Sequence, residues 1–251
     1  MKGLKRNISW TVAMARQLRG PNHASILCYH AVDEPEGPGA IAPDRFEAHV
    51  AWLAGHCDVV PLHDVLAGAR GVALTFDDGY RSMATAGRSL AAAGLPYAVA
   101  VPTGHVGGQA SWDEVARFDT SLLSWDEVNA LPGAPTVVSH GHEHVDARTL
   151  SDDELLRQLV LSQELLHEQV TGPTVLDVLV WPYGAYDHDA EQVARRAGFQ
   201  ATLAGGWGDG GRPGFTRRRL GVESDDTTAD LAVKVAGGCN WLDLVRRARG
   251  G

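Results

Sequence analysis

The sequence predicts an α/β fold built from parallel βα units, and three observations predict it. Short apolar runs recur along the chain, segments with helical spacing separate them, and polar residues gather where several runs end. With 251 residues and 44% hydrophobic content, the chain can bury one large core. A formal net charge of −9 without a long basic run argues against nucleic acid as a partner.

At the start, Lys2, Lys5 and Arg6 precede "ISWTVAMA", whose apolar part is too short and too polar for a signal peptide despite Ala13-Met14-Ala15. Leu4, Ile8, Val12, Ala15 and Leu18 recur at helical spacing. Residues 1–22 are therefore expected to form an amphipathic helix with Lys5, Arg6, Arg16 and Arg19 on its polar side, and residues 23–251 a single catalytic domain. The helix either packs on the domain or provides membrane contact at an acidic surface. No run reaches the ~18 to 20 apolar residues of a membrane span. Cys28, Cys57 and Cys239 are far apart and form no CxxC pair, the usage expected in a reducing compartment. The expected location is cytoplasmic, peripheral to the membrane at most.

The expected strands are "SILCYHAV", "VALTF", "YAVAV", "TVVSH", "LDVLVWPY" and "QATLAG". Between them, "DRFEAHVAWLAGH", "YRSMATAGRSLAAAG" and "DAEQVARRAG" read as helices, the last two stopped by Gly94 and Gly198. Ser151 and Glu154 form a capping-box pattern ahead of Leu155, Leu156, Leu159 and Leu166. The Gly- and Pro-rich stretches 33–40 and 205–214 read as surface loops.

In parallel α/β folds ligands sit at the C-terminal ends of strands. Four expected strand ends carry polar residues: Tyr29-His30, Asp77-Asp78-Gly79, His140 to His144 in "SHGHEHVD", and Pro182-Tyr183-Gly184. An acidic pair with histidines at i and i+4 supplies the N and O donors that a borderline divalent cation accepts. Because successive side chains diverge along a strand, Asp78 can bind the cation while Asp77 serves as a general base.

These residues resemble the polysaccharide deacetylases of carbohydrate esterase family four, the NodB homology domain. "LTFDDGY" is similar to the family's first motif, "SHGHEH" followed by "LSDDEL" to its His-x-x-x-His motif, and "VWPYGAYD" to its third. Weaker similarity covers "LCYHAV", "VPTGHVGG", "LSWDEV" and "FTRRRLGV". The resemblance implies a distorted (β/α) barrel and a divalent metal, Zn²⁺ with Co²⁺ or Ni²⁺ as alternatives. It implies Asp77 as catalytic base and Asp78, His140 and His144 as metal ligands. Pro182 and Tyr183 become groove residues, with the Tyr183 N–H as oxyanion donor.

Two positions depart from the family pattern. The Arg that pairs with the base in the third motif is replaced by Val180, and Arg219 is expected to take its role, with Arg217 or Arg218 as alternatives. The late Leu-x-His motif is absent. The subgroup with "YH" near its start supplies that histidine from the N-terminal side, so His30 is the candidate acid that protonates the leaving amine; a buried core histidine is the other reading. Trp112, Trp125, Trp181 and Trp207 are candidate sugar-stacking residues, with Trp181 and Trp207 preferred because each adjoins a candidate site loop.

The function so implied is metal-dependent hydrolysis of an N-acetyl group on an amino-sugar substrate. Two alternatives stand beside it. If residues 140–144 are extended, His140, His142 and His144 share one face, as in metal-dependent amidohydrolases acting on other amides. The second alternative is a carbohydrate-binding relative without catalysis.

Overall fold

A computed structural model describes residues 24–112, 117–205 and 214–237. The expected N-terminal helix, Trp207 and Cys239 lie outside the described residues. The strands are β1 (Ala24–Tyr29), β2 (Ala31–Val32), β3 (Ala40–Ile41), β4 (Gly71–Phe76), β5 (Ala98–Val101), β6 (Thr136–Ser139), β7 (Thr174–Val180), β8 (Ala201–Ala204), β9 (Thr216–Arg218) and β10 (Leu220–Gly221). The helices are α1 (Pro43–His56), α2 (Leu62–Leu66), α3 (Met83–Ala92), α4 (Trp125–Asn129), α5 (Asp152–Gln169), α6 (His188–Arg196) and α7 (Thr228–Val235).

Eight strands form one sheet in the order β10-β1-β4-β5-β6-β7-β8-β9, and every neighbouring pair is parallel. Only Arg219 separates β9 from β10. One short segment therefore pairs with β8 on one side and with β1 on the other, which closes the sheet into a distorted (β/α) barrel. The sequence pattern marks no strand at this closure, because "TRRRLG" lacks the apolar run of the other strands.

Strand periodicity divides the core into an inside and an outside. Ile26, Ala73, Ala98, Ala100, Val138, Val178, Val180, Ala201 and Leu203 fill the barrel, with Leu62 and Val65 of α2 packed on them beside the starts of β1 and β4. The alternating partners Leu27, Tyr29, Leu74, Phe76, Val99 and Val137 face outward against α1, α3 and α7. Leu179, Trp181 and Ala204 face α5 and α6. Four alanines in the interior layer leave room for a narrow barrel to close.

The expected helices form within a few residues of their expected bounds, and Gly94 (φ 67°) and Gly198 (φ 96°) adopt the left-handed conformation that ends a helix. Half of the expected capping box at Ser151 is realised. Its hydroxyl accepts from the Glu154 N–H at 3.3 Å, while the Glu154 carboxylate turns forward to Arg157 and to Gln158 at 3.1 Å. Complete boxes form instead at Ser124/Glu127 and Thr227/Asp230. Among the described residues no helix is long and apolar enough to cross a membrane.

Candidate active site

The inward parity that builds the core also builds the site. Ile26, Cys28 and His30 share a parity on β1 and its extension, as do Ala73, Thr75 and Asp77 on β4, Val138 and His140 on β6, and Val178, Val180 and Pro182 on β7. The apolar members fill the barrel, and the polar ones end each series at the C-terminal mouth. The ladder continues past the assigned strands to fix them: Asp77 N–H donates to Tyr29 C=O at 2.9 Å and His140 N–H to Val101 C=O at 3.0 Å.

Asp78 would point outward if the strand continued. Instead it takes φ 70° beside Gly79 at φ 66°, a turn that brings its carboxylate back over the barrel mouth. His140 Nε2 and His144 Nε2 both converge on Asp78 Oδ1, at 3.2 and 3.1 Å, and all three residues are buried. His140 Nδ1 donates to Val180 C=O at 2.8 Å, which aims Nε2 at Asp78 and, in the neutral ring, makes Nε2 the nitrogen that offers a lone pair. The Nδ1 of His144 is buried without a partner. Two imidazole nitrogens and a carboxylate oxygen within 4.8 Å of one another are a donor set suited to a divalent cation.

The loop carrying these histidines is held from both sides. Ser139 Oγ accepts from Gly141 N–H at 3.1 Å and shares a 2.8 Å hydrogen bond with Ser162 Oγ of α5, which donates to Gly141 C=O at 3.0 Å. Opposite, Thr103 and Gly104 donate their N–H groups to the carbonyls of Gly141 and His142 at 3.1 and 3.0 Å. His144 takes φ 50° and Tyr183 φ 58°. Non-glycine residues rarely adopt this region, and such strain concentrates at functional sites.

Burial penalises the ionised form of both carboxylates, and in each case the neighbours outweigh it. Arg219 grips Asp77 with two parallel bonds, Nη1 to Oδ1 and Nη2 to Oδ2, both 2.6 Å, and its charge and hydrogen bonds hold the Asp77 carboxyl at a pKa of about 2. Hydrogen bonds from His140 and His144 hold Asp78 well below the usual carboxylate range. Burial lowers the proton affinity of His144, whereas for His140 the same burial effect is outweighed by Asp78 and the pKa rises. Arg219 also donates to Thr75 Oγ1 at 3.1 Å, and its own N–H donates to Ala204 C=O at 2.9 Å, so the closure segment delivers it to Asp77. Arg217 is buried, and neither it nor Arg218 has a hydrogen bond or ion pair with Asp77.

The remaining sequence-marked residues divide. A ring nitrogen of His30 lies within 4.8 Å of both Cys28 Sγ and an Asp77 oxygen, at the break between β1 and β2. Pro182 borders the histidine loop: a Cβ added to Gly141 would meet its ring at 3.7 Å. Tyr183 is 63% exposed and meets His144 edge-on at 4.9 Å. Gly184 after it must lack a side chain, since a Cβ would come within 2.7 Å of Gly205 N.

Trp181 departs from the expectation of a sugar-stacking wall. It is 1% exposed and packs among Leu179, Val193 and Phe199, stacked on Tyr186, so it offers no face to a sugar. Adjacency to the loop is outweighed by parity: one residue from inward Pro182, its ring leaves on the outer face. Among the described residues, Trp112 is the tryptophan at the site, stacked on His144 at 3.9 Å and 21°. His142 leaves the cluster for Thr103 Oγ1 at 3.0 Å, because the chain turns after Ser139 and does not stay extended; this removes the shared face that the amidohydrolase alternative needs.

The chain matches a known class of enzyme. A family model for polysaccharide deacetylases matches residues 66–202, more than half of the chain, and the chain belongs to this family of deacetylase hydrolases. Among solved structures, it is similar to the Streptococcus pyogenes deacetylase PplD in complex with acetate, with 17% identity, a TM-score of 0.70, and coverage of 86% of this chain and 99% of that one. IcaB from Ammonifex degensii shows 23% identity and a TM-score of 0.70 over 85% of this chain and 97% of its own. A de-N-acetylase from Aggregatibacter actinomycetemcomitans shows 19% identity and a TM-score of 0.65 over 84% and 99%. The comparison with curated proteins returned no match.

Proposed function

We propose that the protein removes an N-acetyl group from an amino-sugar-containing substrate, releasing acetate, with Asp78, His140 and His144 holding a divalent cation. The observation that carries this reading is the contiguous arrangement at one barrel mouth of the Asp78–His140–His144 donor set and a carboxylate, Asp77, that an arginine holds in place. The family membership supports deacetylation. One of the similar structures is a de-N-acetylase, which supports the N-acetyl choice.

When bound, a divalent cation at these three residues supplies Lewis-acid polarisation of a carbonyl and lowers the pKa of water. The chain's own groups then divide the proton traffic. Asp77, ionised throughout the neutral range and fixed by Arg219, accepts a proton from the attacking water. The backbone N–H of Tyr183, held in its left-handed turn, is the donor for the developing oxyanion. His30, across the mouth beside Asp77, gives a proton to the departing amine. Exposed Tyr183, with Trp112 behind His144, supplies aromatic surface for a sugar ring.

The test is acetate release from a panel of N-acetylated sugars, nucleotide-linked and lipid-linked sugars, and simple non-sugar amides. Release from a sugar is expected, lost on chelation and restored by Zn²⁺, Co²⁺ or Ni²⁺. Full activity in rigorously metal-free protein, or turnover of the non-sugar amides alone, would overturn the reading.

A further inference from the structure

Cys28 is buried, free, and unused by the reaction outlined above. Its side chain faces into the barrel two residues before His30, in register with Thr75 on β4 and Gly221 on β10. Sγ lies 3.4 Å from Asp77 Oδ2, within reach of an S–H···O bond. Burial pushes the thiol pKa well above its ordinary value, which keeps the proton on sulfur and makes Cys28 a donor.

Cys28, His30 and Asp77 also place one S, one N and one O within 4.8 Å, a second set of donors beside the first. The Arg219 guanidinium, at 2.6 Å from each Asp77 oxygen, already supplies the positive charge there and opposes a second cation. The thiol is then left with hydrogen bonds, to Asp77 Oδ2 at 3.4 Å and, longer, to Tyr29 C=O at 3.8 Å.

We propose that Cys28 is a positioning residue for the catalytic base, its S–H joining Arg219 in fixing the Asp77 carboxylate. A carboxylate offers about four lone-pair sites, two per oxygen. Among the described residues, Oδ2 receives Arg219 Nη2 and Cys28 Sγ, while Oδ1 receives only Arg219 Nη1. Oδ1 is therefore the oxygen with capacity to take the proton, and the thiol makes the two oxygens inequivalent. This inference rests on Asp77 being the base.

The test compares Cys28→Ala with Cys28→Ser. The two replacements are close in volume, so they share the packing loss, but only serine keeps a donor. With an N-acetylglucosamine oligosaccharide as probe, Cys28→Ala is expected to lower kcat roughly three- to tenfold at unchanged KM and unchanged metal content, the scale of one weak charge-assisted hydrogen bond. Cys28→Ser is expected to recover most of that loss. Equal falls in both variants would assign Cys28 to packing and overturn the inference, as would a Cys28→Ala kcat equal to wild type. Asp77→Asn, assayed alongside, separates the two levels: if it retained near wild-type kcat, the base assignment itself would fail, whatever Cys28 did.

Discussion

Asp77 and Asp78 are adjacent, equally buried and chemically identical, yet the fold gives them opposite surroundings. Asp77 is filled from its own side of the barrel by a guanidinium at 2.6 Å on each oxygen and a thiol at 3.4 Å. Asp78 faces two imidazole nitrogens at 3.1 and 3.2 Å, and one of those rings carries a buried nitrogen without a partner. A carboxylate neutralised by a fixed cation in the chain needs nothing more. Two histidines and a carboxylate converging without such a cation have the donors for one supplied from outside. Two like charges side by side are thus tolerable on the proposed reading, in which each answers to a different positive charge, Arg219 in the chain for Asp77 and a recruited cation for Asp78.

The sharpest way to break this comparison is to neutralise each carboxylate in turn. Asp78→Asn is expected to lose bound metal, and with it essentially all activity. Asp77→Asn should retain metal yet lose kcat by roughly 10² to 10⁴-fold, the usual worth of a general base. Metal analysis of the two purified variants decides it; equal metal loss in both would mean that the division of labour is drawn wrongly.

Next in size is His30, which lies beside Asp77 just past the end of β1. His30→Ala is expected to keep its fold and metal while kcat drops by roughly 10²-fold, as when a general acid is removed. If the variant instead unfolds more readily and turns over normally per folded molecule, His30 is structural.

The smallest expected effect concerns stability. The folded-state pKa of Asp77, about 2, lies below its ordinary 3.8, so the Arg219 pair stabilises the fold fully above about pH 4 and loses that contribution as pH falls through 2. The amount at stake is about 2 kcal/mol. Urea unfolding at pH 6 and pH 2 should show the stability gap between wild type and Asp77→Asn shrinking by about that much. A constant gap would show that the pair carries no pH-linked stability.

Much of the site is legible in the residues because its signals are local. An apolar run ending in Asp-Asp-Gly and histidines spaced i, i+4 depend only on neighbours a few residues away, and strand ends in parallel folds are where such groups meet. That is why the six strands and the Asp77, Asp78, His140, His144 set can be marked from residue order alone. Trp181 escapes such marking for the opposite reason: its distance from the loop is readable, but the face it takes depends on strand parity against the helices outside.

By itself, then, the sequence determined the βα order, the helix stops at Gly94 and Gly198, and the identity of the residues at the barrel mouth. The resemblance favoured Arg219 among three arginines, and the tertiary structure is what brings that one to Asp77. Arg219 is 142 residues from Asp77 and one of three consecutive arginines, and it is selected because it lies between the strand that pairs with β8 and the strand that pairs with β1. The pairing of β1 with β4, not the closure, decided that Cys28, ordinary in the sequence, lies against the carboxylate. Periodicity is set by each residue's own backbone geometry, whereas Cys28 meets Asp77 only once β1 and β4 pair, and Arg219 meets it only once the sheet has curled far enough for its first and last strands to share a segment.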